Sequence, residues 1–72
     1  MTFKASIVIP VYNEIGSLEV LCFKIKKAFQ NIKVKYIFID DGSNDGSYEW
    51  LNKNLQNYFN KKELNFISLK KN

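Results

Sequence analysis

Residues 37–47 read IFIDDGSNDGS, an apolar segment followed by a run of acidic and turn-forming residues. The apolar part extends from Tyr36 to Ile39 and ends at two adjacent carboxylates, Asp40 and Asp41. Short apolar runs bounded by turn residues are typical of buried strands, and Asp-Gly and Asn-Asp-Gly sequences favour turns. The stretch therefore predicts a buried strand that ends at the two aspartates, followed by a helix that starts near residue 44 or 45.

The patterns on either side of this stretch predict two more strands and two helices. Residues 5–9 read ASIVI, an apolar and β-branched run that predicts a central parallel strand ended by Pro10. Apolar side chains recur with a period near 3.6 residues over residues 17–30, which predicts the first helix. The same period after Asp45 predicts the second helix, and LNFISL at residues 64–69 predicts the last strand.

The elements therefore follow one another as β-α-β-α-β, with the acidic run at the end of the second strand, residues 34–39. Right-handed helical crossovers between parallel strands predict the sheet order 3-2-1. The expected fold class is α/β: a Rossmann-like half of a doubly wound sheet, with three parallel strands and two helices. In that order the first strand keeps an unpaired edge, and an open apolar edge is a template for self-association.

The composition limits the classes of function. The formal charge of +4 comes from lysines spread over both helices and both ends. Nucleic-acid binders more often cluster Arg and Lys beside exposed aromatic residues, so no nucleic-acid partner is expected. A single cysteine, Cys22, excludes an internal disulfide and a cysteine-based zinc site and is expected in the core. No apolar run approaches the roughly 20 residues of a transmembrane helix, and no signal-peptide core is present, so a cytoplasmic location is expected.

Three common nucleotide sites can be compared with the loop after the first strand, where the chain reads PVYNE. A Rossmann dinucleotide site needs G-x-G-x-x-G at that point, and a P-loop needs G-x-x-x-x-G-K-[ST]; neither motif is present. Response-regulator receiver domains carry their acidic pair after the first strand, whereas this pair follows the second. All three interpretations are therefore excluded.

The remaining candidate site combines the two loops that leave the same edge of neighbouring strands. Tyr12 and Glu14 follow the first strand, and Asp40 and Asp41 follow the second, so the four side chains can converge at the edge where α/β sheets bind ligands. An aromatic ring with carboxylates suits a nucleoside, because the ring stacks on the base and the carboxylates accept from base N–H groups and ribose hydroxyls. The alternative is structural: the ring packs on the domain and the carboxylates hold the following helix, as is expected of Asp45.

Two motifs carry a resemblance to a known family. SIVIPVYNE at residues 6–14 and IDDGSNDGS at residues 39–47 resemble the opening of family 2 glycosyltransferases of the GT-A fold. The form ending in glutamate is most similar to the polyprenyl-phosphate sugar transferase branch, of the dolichyl-phosphate mannosyltransferase kind. The resemblance implies a nucleotide-diphospho-sugar donor (a UDP- or GDP-sugar), usually a divalent metal (Mg or Mn), and transfer of the sugar to a lipid phosphate or a glycan.

By position, the resemblance places Pro10, Tyr12 and Glu14 in the nucleoside pocket and Asp41 against the base, with Asp40 beside it. Family members continue into a second half that holds the D-x-D metal motif, the acceptor site and the catalytic base. No D-x-D follows the acidic run here, so neither catalytic residues nor metal ligands are assigned to this chain.

Residues 1–72 are therefore interpreted as a single, incomplete nucleotide-sugar-binding N-terminal domain that lacks turnover by itself. Its expected partners are the nucleotide sugar and the missing C-terminal half, and the full-length family is expected at the cytoplasmic face of the membrane. The alternative is a non-catalytic, truncated interaction domain that self-associates through the open edge of the first strand. Val20 and Phe23, which the helical period places on the outer side of the first helix, also favour it.

Overall fold

The computed structural model describes residues 2–69 and shows three strands and two helices in the order β-α-β-α-β. The elements are β1 (Ala5–Val11), α1 (Leu18–Ala28), β2 (Val34–Asp40), α2 (Ser47–Asn54) and β3 (Leu64–Ser68), with 3-10 turns at Leu55–Asn57 and Lys61–Glu63. Within that range, no helix is long and apolar enough to cross a membrane. The fold class and the element order agree with the sequence-based prediction.

The three strands form one parallel sheet in the order β1-β2-β3, which confirms the predicted 3-2-1 order. At the carboxyl end, Val11 of β1 is level with Asp40 of β2, which is level with Ser68 of β3. Because all three strands run the same way, the loops that follow them leave at one edge. That edge carries the candidate site.

The sequence predicted that the first strand ends at Pro10, but β1 continues to Val11. β1 is an edge strand within residues 2–69, as the predicted 3-2-1 order implies, although its apolar run is typical of a central strand. The Val11 carbonyl accepts a hydrogen bond from Asp41 N at 2.8 Å, so Val11 directs its backbone toward β2 and Pro10 directs its own toward the open edge. A proline that faces an open edge removes no bond from the ladder, which explains why the strand tolerates it.

The second helix begins at Ser47, later than the predicted start at residue 44 or 45. Gly46 has φ +98°, in the left-handed region, and Ser47 N donates to Asp45 Oδ1 at 2.9 Å in a local turn. A left-handed residue cannot belong to a right-handed helix, so α2 starts only after Gly46. The bounds of α1 and β3 lie within a few residues of the predictions.

Both helices contribute to one core on a single face of the sheet. Phe38 of β2 is fully buried at its centre, and the ring centroids of Phe38 and Phe59 lie 5.4 Å apart. Cys22 is buried here as expected, and burial raises the pKa of its thiol to about 11. The buried apolar residues are Ile9, Val11, Leu18, Cys22, Val34, Tyr36, Phe38, Leu51, Leu55 and Phe59.

The opposite face of the sheet is apolar and is not covered by any element of residues 2–69. Strand alternation places Val8, Ile37, Ile39 and Ile67 on it, and Val8 is 56% exposed. Parallel sheets in α/β proteins are normally covered on both faces. This face is therefore a candidate surface for a second packing layer.

Candidate functional site

Asn13 joins the loop after β1 to the acidic loop after β2. Its backbone N–H donates to Ser43 Oγ at 2.9 Å, and its side-chain Oδ1 accepts from Asn44 N at 2.8 Å. Asn13 has φ +48°, a left-handed conformation that asparagine tolerates better than most residues. The reciprocal pair of bonds fixes the two loops against each other at the carboxyl edge of the sheet.

Asp45 and Ser47 form a second connection between the same loops. Ser47 Oγ accepts from Glu14 N at 2.9 Å and donates to Asp45 Oδ1 at 2.6 Å, while Asp45 Oδ2 accepts from Ile15 N at 3.1 Å. The hydrogen bond from the Ser47 hydroxyl, with smaller contributions from backbone amides, lowers the pKa of Asp45. Asp45 therefore holds the start of α2 and the first loop, in agreement with its expected structural role.

Asp40 lies beneath this pair of loops and is 1% exposed. Its Oδ2 accepts from Ser43 N at 3.1 Å, so the side chain holds the acidic loop through a backbone amide. Its Oδ1 is buried without a hydrogen-bond partner among residues 2–69, and so is Ser68 Oγ on the neighbouring strand. The structure thus supports the loop-holding role for Asp40, one of the two roles that the sequence left open.

The other predicted site residues lie at the surface of the same edge. Tyr12 is 55% exposed, Pro10 and Glu14 are exposed, and Asp41 is half-buried. The hydrogen bond from Asp41 N to the Val11 carbonyl brings the backbone of Asp41 beside that of Tyr12, the residue that follows Val11. The two loops are therefore neighbours, and an aromatic ring and carboxylates leave the sheet at one place.

The described residues do not offer a metal centre. No group of three or more Asp, Glu, His or Cys side chains in residues 2–69 is arranged to hold a metal ion. Asp45 uses both carboxylate oxygens in hydrogen bonds, and Asp40 is buried. The divalent metal therefore stays an expectation drawn from the family resemblance.

Sequence reasoning did not identify the residues that fasten the loops together. The sequence places Asn13 in the loop after the first strand and Ser43 and Ser47 among turn formers, although each makes a hydrogen bond to a residue 30 or more positions away. Ser68 was treated as an ordinary strand residue. The signal available in the sequence was the small polar side chains next to the two motifs, which indicates local turns but not a partner in another loop.

The chain matches the model of a known protein family over most of its length. The family model described as glycosyl transferase family 2 matches residues 6–72. The chain belongs to glycosyltransferase family 2. The match includes both motifs that carry the resemblance, and the family is the one that the sequence indicated.

This family 2 chain is similar in sequence to two curated relatives. It is 50% identical over 46 residues to an undecaprenyl-phosphate 4-deoxy-4-formamido-L-arabinose transferase of Aeromonas hydrophila, covering 61% of this chain and 14% of the relative. It is 32% identical over 74 aligned residues to an uncharacterized glycosyltransferase of Synechocystis, covering 100% of this chain and 22% of the relative. The chain thus spans less than a quarter of either relative. No solved structure matches it.

Proposed function

We propose that this chain is the nucleotide-sugar-binding N-terminal part of a glycosyltransferase, with the nucleoside bound at the carboxyl edge of β1 and β2. The observation that carries the proposal is the set of hydrogen bonds from Asn13, Ser43 and Ser47, which holds the two motif-bearing loops together. A site that is already assembled loses less conformational entropy when it binds a ligand. The ligand class is a nucleotide-diphospho-sugar carrying UDP or GDP.

Each proposed binding residue has a role that follows from its chemistry. Tyr12 presents an exposed ring on which a base can stack, and Pro10 lines the same edge. Asp41 is half-buried, so its carboxylate can accept a hydrogen bond from a base N–H in a partly desolvated setting, where such a bond is stronger. Glu14 is exposed and can accept from ribose hydroxyls. Asp40 supports the acidic loop from below.

The acceptor and the catalytic step belong to the whole protein. One relative is named as an undecaprenyl-phosphate 4-deoxy-4-formamido-L-arabinose transferase, which supports a lipid-phosphate acceptor. With such an acceptor, we propose a location at the cytoplasmic face of the membrane. We expect the catalytic base, the D-x-D motif and the metal in a C-terminal half. The uncovered apolar sheet face around Val8 and Ile37 suits the packing of such a half.

Titration of the chain with UDP, GDP and their sugars, followed by NMR, tests the proposal. We expect nucleotide-dependent shifts for residues of both loops, and a loss of these shifts in Asp41→Asn. The matched control is Glu63→Gln, which removes an acid just before β3, at the amino end of the sheet and away from the site. A folded chain that shows no shift at millimolar nucleotide would overturn the proposal.

A second candidate is a non-catalytic domain that self-associates through the open edge of β1. The observation that favours it is the position of β1 at the sheet edge, beside the exposed side chain of Val8. Sedimentation at increasing concentration tests it. A single monomeric species at the highest concentration argues against this candidate and leaves nucleotide binding unaffected.

A further inference from the structure

The outer side of α1 carries a second stripe, distinct from the one that faces the core. Val20, Phe23, Lys24 and Lys27 follow the i, i+3, i+4, i+7 spacing, which places them on one side of the helix. Val20 is 54% exposed and Phe23 is 57% exposed. We refer to these four residues, together with Lys26, which lines a groove with Phe23 and Lys27, as the lysine–phenylalanine face.

This face is cationic as well as apolar. Its three lysines are exposed, whereas α1 carries a single acid, Glu19. Among residues 2–69 the salt bridge joins Lys33 and Glu63, so the charges of the face are not neutralised by an ion pair. Lys27 Nζ lies 5.9 Å from the centroid of the Phe23 ring, which keeps the charge beside the apolar group.

An open groove of about 400 Å³ continues this face toward the turn after α2. It is lined by Phe23, Lys26, Lys27, Gln30, Asn57 and Tyr58. The ring centroid of Tyr58 is in turn 6.1 Å from that of Trp50, so a second aromatic ring lies beside the one that lines the groove. Aromatic rings with a polar end are common where proteins meet the membrane–water boundary.

We propose that the lysine–phenylalanine face docks on an anionic lipid surface. Phe23 and Val20 enter the boundary between headgroups and acyl chains, and the three lysines lie over lipid phosphates. Helices that bind in the plane of a membrane interface combine these features: lysines on the polar sides and aromatic or aliphatic residues between them. The docking is independent of nucleotide binding, because it uses α1 and not the carboxyl edge of the sheet.

Charge complementarity distinguishes this face from the other exposed apolar surface of the molecule. Within β1, β2 and β3 the uncovered sheet face around Val8 and Ile67 carries one charged residue, Lys35, because Asp40 points to the covered face. An anionic bilayer attracts clustered basic residues within about a Debye length of its surface. The lysine–phenylalanine face therefore fits an anionic membrane, whereas the sheet face does not.

Vesicle sedimentation tests the charge requirement. We expect the chain to sediment with phosphatidylcholine vesicles that contain phosphatidylglycerol, and not with pure phosphatidylcholine. Each lysine removed from the lysine–phenylalanine face should weaken binding about five-fold at low salt, so Lys24→Gln with Lys27→Gln should weaken it about 25-fold. The matched control, Lys61→Gln with Lys62→Gln, removes the same charge from an exposed 3-10 turn and should bind like the parent chain. Equal losses in both double variants would overturn the proposal.

Fluorescence quenching by brominated lipids tests which surface enters the membrane. Tryptophan is introduced by Phe23→Trp or by Val8→Trp, each in a Trp50→Phe background whose fold is checked by circular dichroism. We expect strong quenching in anionic vesicles for Phe23→Trp and little for Val8→Trp. The reverse result, or quenching in neither variant, would overturn the proposal. Asp41→Asn should leave vesicle binding unchanged, so that failure of nucleotide binding and failure of membrane docking are separately visible.

Discussion

Glu14 N donates a hydrogen bond to Ser47 Oγ at 2.9 Å, joining two residues that lie 33 positions apart in the sequence. Ser47 is fully buried, and its hydroxyl donates a hydrogen bond to Asp45 Oδ1 at 2.6 Å. One small side chain thus ties the loop after β1 to the first turn of α2. The carboxyl edge of the sheet depends on this connection for its shape.

Ser47→Ala should destabilise the chain by about 1–3 kcal/mol, because it leaves the Glu14 amide without its partner and removes one of the two hydrogen bonds that Asp45 Oδ1 accepts. Urea unfolding followed by circular dichroism measures the change. Ser6→Ala, at an exposed position of β1, is the control and should stay within about 0.5 kcal/mol of the parent chain. A loss as small as that of the control would contradict the assigned role of Ser47.

Asn13→Ala and Asn13→Gly should separate backbone strain from the lost side-chain bond. Alanine loses the bond from Asn44 N and must also adopt φ +48°, which costs a non-glycine residue roughly 1–2 kcal/mol. Glycine loses the same bond but adopts the left-handed conformation freely. We therefore expect the glycine variant to unfold at a higher urea concentration than the alanine variant, and the opposite order would show that Asn13 is not held in this conformation.

Ser68→Ala should leave stability nearly unchanged or raise it slightly. The Ser68 hydroxyl is buried and has no hydrogen-bond partner among residues 2–69, so its removal relieves a desolvated polar group. The melting temperature of the variant measures the effect. A fall that corresponds to more than about 1 kcal/mol would mean that the hydroxyl makes a bond in solution.

Acid should weaken the connection between the loops. The pKa of Asp45 is lowered from its ordinary value of 3.8, first by the hydrogen bond from Ser47, so the carboxylate stabilises the fold above that value. This contribution is lost as the pH falls through the lowered pKa, because the carboxyl of Asp45 is then protonated in both the folded and the unfolded state. Asp45→Asn should melt below the parent chain at pH 7, and the difference should shrink as the pH falls below about 3.8. A difference that does not depend on pH would contradict this assignment.

The overall fold was predictable because its signals are local and periodic. The β-branched run of β1, the 3.6-residue period of α1 and the turn residues after Asp40 each act within a few neighbours. Topological rules then limited the sheet to one order, which the structure shows. The strand end at Pro10 and the start of α2 were wrong because each depends on backbone geometry: an open sheet edge in one case and a left-handed Gly46 in the other.

The sequence was enough to predict where the candidate site lies, but not how its residues are packed and hydrogen-bonded. Two motifs at neighbouring strand ends were enough to place Tyr12 and Asp41 at one edge of the sheet. The different environments of the two adjacent aspartates were not apparent from the sequence: Asp40 is buried under the loop and Asp41 is half-exposed. Successive side chains of a strand point to opposite faces, so predicting which aspartate faces the core required knowing the exact residue at which β2 ends.

The amino-acid sequence by itself determined the order of elements, the family and the edge of the sheet at which a ligand is expected, since periodicity and turn chemistry act over short distances. Only the tertiary structure decided which polar groups meet. Asn13 and Ser43, or Glu14 and Ser47, are brought into hydrogen-bonding distance by the parallel pairing of β1 with β2. A hydrogen bond needs its two atoms about 3 Å apart, and for residues 30 positions apart that distance is set by the packing of the whole chain.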